Sequence, residues 1–166
     1  MMKKKIQNKK QKSFFIKSFK QLWQLEEVIQ EIFKNTTEGL QLSVLGKFSE
    51  VCISNDSETL KAKDELKQYW KGSLGPTSDF GLFCNPEMGT LFIAGSLVSQ
   101  FLHDLDGKVL GEMPSGPYGI LRGLGITEKD TLRHIKNLNE VGYLLILRGY
   151  DTELDVMKAL LKSLET

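Results

Sequence analysis

No stretch of this 166-residue chain approaches the ~18–20 consecutive apolar residues of a membrane-spanning helix. The best run, residues 89–102, is broken by Ser96, Ser99 and Gln100 and then meets His103 and Asp104. The apolar step after the first lysines, residues 13–17, is too short for a secretory signal, so a cytoplasmic location is expected. Cysteine is scarce. Cys52 and Cys84, 32 positions apart, cannot make a disulfide framework. In apolar settings they read as buried free thiols, with a single bridge left open.

Histidine is equally scarce, with His103 and His134 alone. In His103-Asp104-x-Asp106, neighbours on a helix point about 100° apart and do not converge. A face shared by His103 and Asp106 supplies too few ligands for a zinc site. His134, beside Arg133, is expected on the solvent side of its helix. The chain has no Gly-x-Ser-x-Gly elbow. Its stretch Gly111-Glu-Met-Pro-Ser-Gly116-Pro-Tyr-Gly119 lacks the Lys-Ser/Thr of a phosphate-binding loop. Ser115 has no identifiable base. These gaps predict no enzyme, no metal and no cofactor.

What is present is an ordinary globular balance, 40% apolar and 26% charged, in a length that suits one domain. The net charge of +1 conceals a division. Residues 1–25 hold eight lysines and no acid. The remaining 14 basic residues face 21 acids, so the rest of the chain is net −7. We read residues 1–12 as a basic, flexible, solubilising tail and 13–164 as a single domain. With no aromatic residue in the tail to stack on a base, nucleic acid is not the expected partner.

Aromatic and β-branched residues predict a first strand over 13–19. Leu22, Leu25, Val28, Ile29, Ile32 and Phe33 make an apolar stripe on a helix over 21–35. Alternation predicts a strand at 40–45. A short strand at 51–53, a helix at 58–71 capped by Asp56 or Ser57, and strands at 80–83 and 90–94 around a Pro86–Gly89 turn follow. Residues 96–105 read as a short helix. Six glycines fall in residues 107–125, where Pro114 and Pro117 favour a loop and 120–124 make at most a helical turn. Thr127 caps a helix with acids in its first turn and Leu132, Ile135 and Leu138 inward. Gly142 is read as its left-handed stop. A strand at 143–148 and a final helix capped by Asp151 complete the chain.

Gly123-Leu-Gly-Ile-Thr-Glu-Lys-Asp130, Asn139-Glu-Val-Gly142 and the apolar strand ending at Gly149 carry a resemblance. With Pro86-Glu-Met-Gly89, the strand ending at Gly95 and the glycine-rich run, they resemble the bacterial family of small general-stress and low-temperature-induced proteins. That family has a Gly-Ile-Pro-Glu-Glu step, a helix, a glycine and an apolar strand. Thr127 stands where proline is common. Gln100, His103, Asp104, Asp106, Lys108 and Glu112 replace small apolar residues of the family's glycine zipper, which argues against membrane insertion. The resemblance implies a stress-associated role and no established reaction.

The expected fold is α+β, a ferredoxin-like sandwich with helices on one face, a glycine-rich insertion and an extra C-terminal helix. Strands 14–19, 40–45, 90–94 and 143–148 should share one sheet; a flavodoxin-like layout is the alternative. The expected function is non-enzymatic, acting through protein or ligand contacts, with a small-molecule-binding regulatory domain as the second reading. A ligand is expected at Ser115, Gly116, Tyr118, Gly123, Gly125 and Thr127, where glycines allow close approach and a helix start offers free N–H groups. A glycine-smoothed face suggests a homodimer.

Overall fold

Phe15, Lys17 and Phe19 alternate with Phe14, Ile16 and Ser18, so an extended chain here presents two different faces. In a computed structural model, which describes residues 11–35, 39–53, 56–140 and 142–165, this segment is strand β1 (Ser13–Phe19). Residues 1–10 of the expected tail lie outside the described residues. Helix α1 (Leu22–Asn35) buries Leu25, Val28, Ile29 and Ile32. Phe33, one step round from that stripe, is exposed. Strand β2 (Gln41–Ser49) runs beyond its expected end. No strand forms over 51–53, of which none is in regular structure. Helix α2 (Ser57–Leu74) starts at Asp56, whose carboxylate accepts from the Thr59 N–H at 2.7 Å.

Strands β3 (Phe80–Asn85) and β4 (Gly89–Gly95) form the hairpin predicted around Pro86. Every residue of β4 is buried. Residues 96–142 hold more structure than the sequence suggests. Helix α3 (Val98–Phe101) is shorter than expected, and a small hairpin of β5 (Asp104–Leu105) and β6 (Lys108–Val109) follows. After a 3-10 turn, Leu110–Glu112, comes α4 (Gly116–Gly123). Pro117 sits in its first turn, where a missing N–H costs nothing, so a proline read as a loop marker opens a helix. Then come α5 (Glu128–Asn139), β7 (Tyr143–Gly149) and α6 (Asp151–Leu164). Thr127 caps α5, accepting from the Asp130 N–H at 3.2 Å. Asp151 is the first residue of α6 rather than its cap. Tyr150 holds the cap position and its N–H donates to Glu153 Oε1 at 2.9 Å. Glu140 is the C-cap of α5. Gly142 serves close packing, since a Cβ there would lie 2.7 Å from the Asn137 carbonyl oxygen.

The fold is α+β. One five-stranded sheet has the order β1-β7-β2-β4-β3, antiparallel throughout. Strands β2, β3, β4 and β7 alone have the order and alternation of a ferredoxin-like sheet, to which β1 adds a fifth strand outside β7. All four strands expected to share a sheet do so.

Helices cover both faces, which corrects the single covered face. Ile16, Leu45, Leu91, Ile93, Leu144 and Ile146 pack with Phe101, Ile120, Leu121 and Leu138 of α3, α4 and α5. Phe19, Val44, Phe92, Ala94, Leu145 and Leu147 pack with α1, with Trp70 of α2 and with Leu154, Met157 and Leu161 of α6. Each fully buried Leu or Ile stabilises the fold by about 1.5–3 kcal/mol. With α2 and α5 on opposite faces, the β2–β3 and β4–β7 crossovers have opposite hands, whereas a ferredoxin-like sandwich carries both helices on one face.

Asn85 fastens this connection to the β3–β4 turn. Its side-chain amide donates to the carbonyls of Gly111 (3.0 Å) and Met113 (2.9 Å), and its oxygen accepts from the N–H groups of Glu87 (2.9 Å) and Met88 (3.1 Å). Cys52 and Cys84 are not free buried thiols. They form a disulfide, with Cα atoms 5.3 Å apart, and Cys52 is exposed. Their apolar neighbours in sequence concealed that the 50–53 loop folds back onto β3.

Candidate functional site

Helix α5 lies beside β1, β2 and β7 and buries Thr131, His134 and Leu138. Leu132, expected inward, is 54% exposed, and His134, expected in solvent, is 4% exposed. The buried stripe is therefore turned from the all-apolar one, because the helix meets a polar residue on the sheet. That residue is Ser18, on the same face of β1 as Ile16. Ser18 Oγ lies 3.2 Å from His134 Nδ1, and Asn137 Nδ2 donates to Ser18 Oγ at 3.1 Å. Accepting from Asn137 leaves Ser18 Oγ one proton and one lone pair, so it can pair with Nδ1 in either tautomer of the neutral ring. Burial, and then the Arg133 guanidinium, pushes the His134 pKa below its ordinary value, opposed by Asp130. The imidazole is thus neutral at pH 7.

This polar trio borders a cleft of about 650 Å³. One wall is the consecutive run from Phe15 to Gln21; the other is Arg133, His134, Asn137 and Glu140 of α5. A second groove, about 410 Å³, touches Lys17–Lys20 from the other side, against Trp23 and Glu27 of α1 and Leu161 and Leu164 of α6. The two flank the same strand because β1 is the last strand of the sheet. Cationic groups border them. Lys17 Nζ pairs with Glu165 at 2.8 Å and Arg133 with Asp130 at 3.0 Å, while Lys20 is exposed. These contacts hold both carboxyl groups below their usual range. No carboxylate bonds His134 Nε2 among the described residues, and none of them forms a cluster of three or more His, Cys, Asp or Glu able to hold a metal.

The residues predicted from sequence divide. Ser115, Gly116 and Gly123 line a separate groove of about 380 Å³ with Gln100, Leu110, Met113, Gly119 and Ile120. Tyr118, Gly125 and Thr127 do not line it. The hydroxyl of Thr127 is engaged by its own helix. Gly125 has φ +94° and turns the chain from α4 into α5. Ser18, His134 and Asn137 escaped the sequence reading. Their one local signal was the i, i+3 spacing of His134 and Asn137 on a helix; Ser18 lies 116 residues from His134.

No described helix is long and apolar enough to cross a membrane. In comparisons with known proteins, the chain matches no family model, no curated protein and no solved structure.

Proposed function

We propose that the protein is a non-catalytic binding module whose contact site is the cleft between β1 and α5. The observation that supports this most is the His134–Ser18–Asn137 chain at the wall of the cleft of about 650 Å³. A serine whose oxygen already accepts from an amide, beside a histidine with no orienting carboxylate, suits the holding of a bound group better than nucleophilic attack. Nε2 of a neutral imidazole, a donor or an acceptor according to the tautomer, and the free capacity of Asn137 offer polar contacts to an occupant. Stress association rests on the resemblance of the stretch from Gly123 to Gly149 and belongs to the same proposal.

The test is a titration of the isotope-labelled full chain with a panel of anionic metabolites and extended peptides, followed by amide shifts. Saturable shifts at Ser18, His134 and Asn137, with the added compound recovered unchanged, are expected. Shifts confined to Ser115, Gly116 and Gly123 would move the site to the α4 groove, and chemical conversion of any compound would end the non-catalytic reading. A small-molecule regulatory role is the second reading, favoured by the cleft volume. It requires a metabolite, rather than a peptide, to produce those shifts.

A further inference from the structure

An edge strand presents a row of backbone N–H and C=O groups that can pair with another chain. The two edges of this sheet are treated differently. At β3 the Cys84 N–H donates to Glu112 Oε2 at 3.0 Å, so the 3-10 turn covers that edge. At β1 no described residue pairs with the outer side; its only strand neighbour is β7. Grooves lie on both sides of β1, and the larger is walled by its consecutive residues rather than by alternate ones. Backbone edge and side-chain grooves together are what an added strand uses: main-chain hydrogen bonds for affinity, alternate pockets for side chains.

We infer that the edge of β1 accepts an extended acidic segment of another protein as the sixth strand of the sheet. The inference rests on the proposed function and names its partner class. Charge selects the partner. Among the described residues Lys12, Lys17 and Lys20 lie in or beside β1, within a stretch, residues 1–25, that carries eight lysines and no acid, while the remainder of the chain is net −7. An acidic strand is drawn to this edge and repelled by the body. Running antiparallel to β1, it continues the alternation of the sheet and brings its C-terminal end beside Lys12 and its N-terminal end beside Lys20. A second copy of this chain is disfavoured on the same ground. Antiparallel self-pairing centred on Ile16 sets Lys12 opposite the second copy's Lys20, and centring on Lys17 sets that lysine against itself. Like charges directly opposite destabilise a strand pair.

The probe is a synthetic amidated peptide alternating valine and glutamate, as long as β1, titrated into the full chain with amide shifts and amide exchange as readouts. Saturable shifts along residues 13–19 and slowed exchange there are expected. A valine–lysine peptide, and the acidic peptide N-methylated at alternate amides, should each bind about tenfold more weakly or worse. The double variant Lys17→Glu, Lys20→Glu should weaken the acidic peptide about tenfold; the methylated peptide keeps the test valid if that variant folds poorly. Equal binding of the methylated peptide would reduce the contact to charge alone and overturn strand addition. So would a dimer by light scattering with the β1 amides protected, which makes a second copy the occupant. If a metabolite shifts Ser18, His134 and Asn137 while the peptide shifts nothing, the sixth strand falls and the binding cleft stands. If neither moves these residues, both fall.

Discussion

Ser18 Oγ on the edge strand and His134 Nδ1 on the crossover helix are 3.2 Å apart, and Asn137 closes on the same oxygen. The contact joins the first strand of the sheet to its longest connection and fixes which face of α5 is buried. Because burial lowers the His134 pKa below 6.5, the unfolded chain takes up that proton at a higher pH than the folded one.

It follows that the His134 contribution to stability is complete above about pH 6.5 and is lost as the pH falls through the depressed folded value. Each unit of depression corresponds to about 1.4 kcal/mol. Urea midpoints measured from neutral to mildly acidic pH should drop more steeply for the wild type than for His134→Gln. Parallel pH profiles for the two proteins would show that this imidazole does not carry the dependence.

Asn85 is 1% exposed and uses its amide in four hydrogen bonds. Asn85→Ala strands two carbonyls and two N–H groups and should cost about 3 kcal/mol or more in chemical denaturation. Asn85→Asp keeps the acceptor toward Glu87 and Met88 but loses both donations to residues 111 and 113. Hydrogen exchange should then show a protected Met88 amide and a loosened 110–113 turn. Equal loosening of both would mean that the two halves of the bracket act as one unit.

Elements with a single strong period were legible in the sequence. The alternation in residues 13–19, the Thr127 cap and the apolar run before Gly149 each place a strand or helix start where it lies. That the strands at 14–19, 40–45, 90–94 and 143–148 share one sheet was expected from them; that β7 lies between β1 and β2 was not. What was hidden depends on contacts distant in sequence. Leu132 looks like core until Ser18 supplies a polar partner that turns His134 inward. The covering of both faces is equally invisible, because a stripe on α2 or α5 says that it is buried and not on which side of the sheet. The edge position of β1 comes from topology, and no pattern within residues 13–19 distinguishes an outer strand from an inner one.

The Cys52–Cys84 bridge closes a loop across a sequence separation of 32 and ties the 50–53 segment to β3. On a chain-entropy basis such a loop is worth about 3–4 kcal/mol. Cys52→Ser should lower the urea midpoint accordingly, and adding a reductant to the wild type should give a matching loss. Since Thr90 Oγ1 also donates to the Val51 carbonyl at 2.9 Å, the loop keeps one anchor, and the sheet should retain its cooperative unfolding. A midpoint indifferent to reductant would show that the two thiols are not joined in solution.

The glycines of the rich segment divide by what a methyl group would meet. At Gly119 and Gly123 of α4, a Cβ finds nothing within 4 Å, and both have ordinary helical surroundings. Gly119→Ala should therefore raise stability by about 0.5–1 kcal/mol through the reduced freedom of the unfolded chain, with a smaller gain at the helix end for Gly123→Ala. At Gly116 the same methyl runs into the carbonyl oxygens of Leu110 and Gly111, the latter at 2.8 Å, and backbone has no rotamer with which to retreat. At Gly95, φ is +104° and the methyl meets the Leu42 carbonyl, so steric conflict adds to a conformation that alanine resists. Gly116→Ala and Gly95→Ala should each lower stability by about 1–3 kcal/mol or prevent folding. The open pair also tests the expected glycine-mediated dimer. If Gly119 and Gly123 seat a second copy at close range, alanine at both positions must weaken association in light scattering while still stabilising the isolated chain. A variant that gains stability and leaves the apparent mass unchanged at every concentration removes the glycine face from any role in assembly.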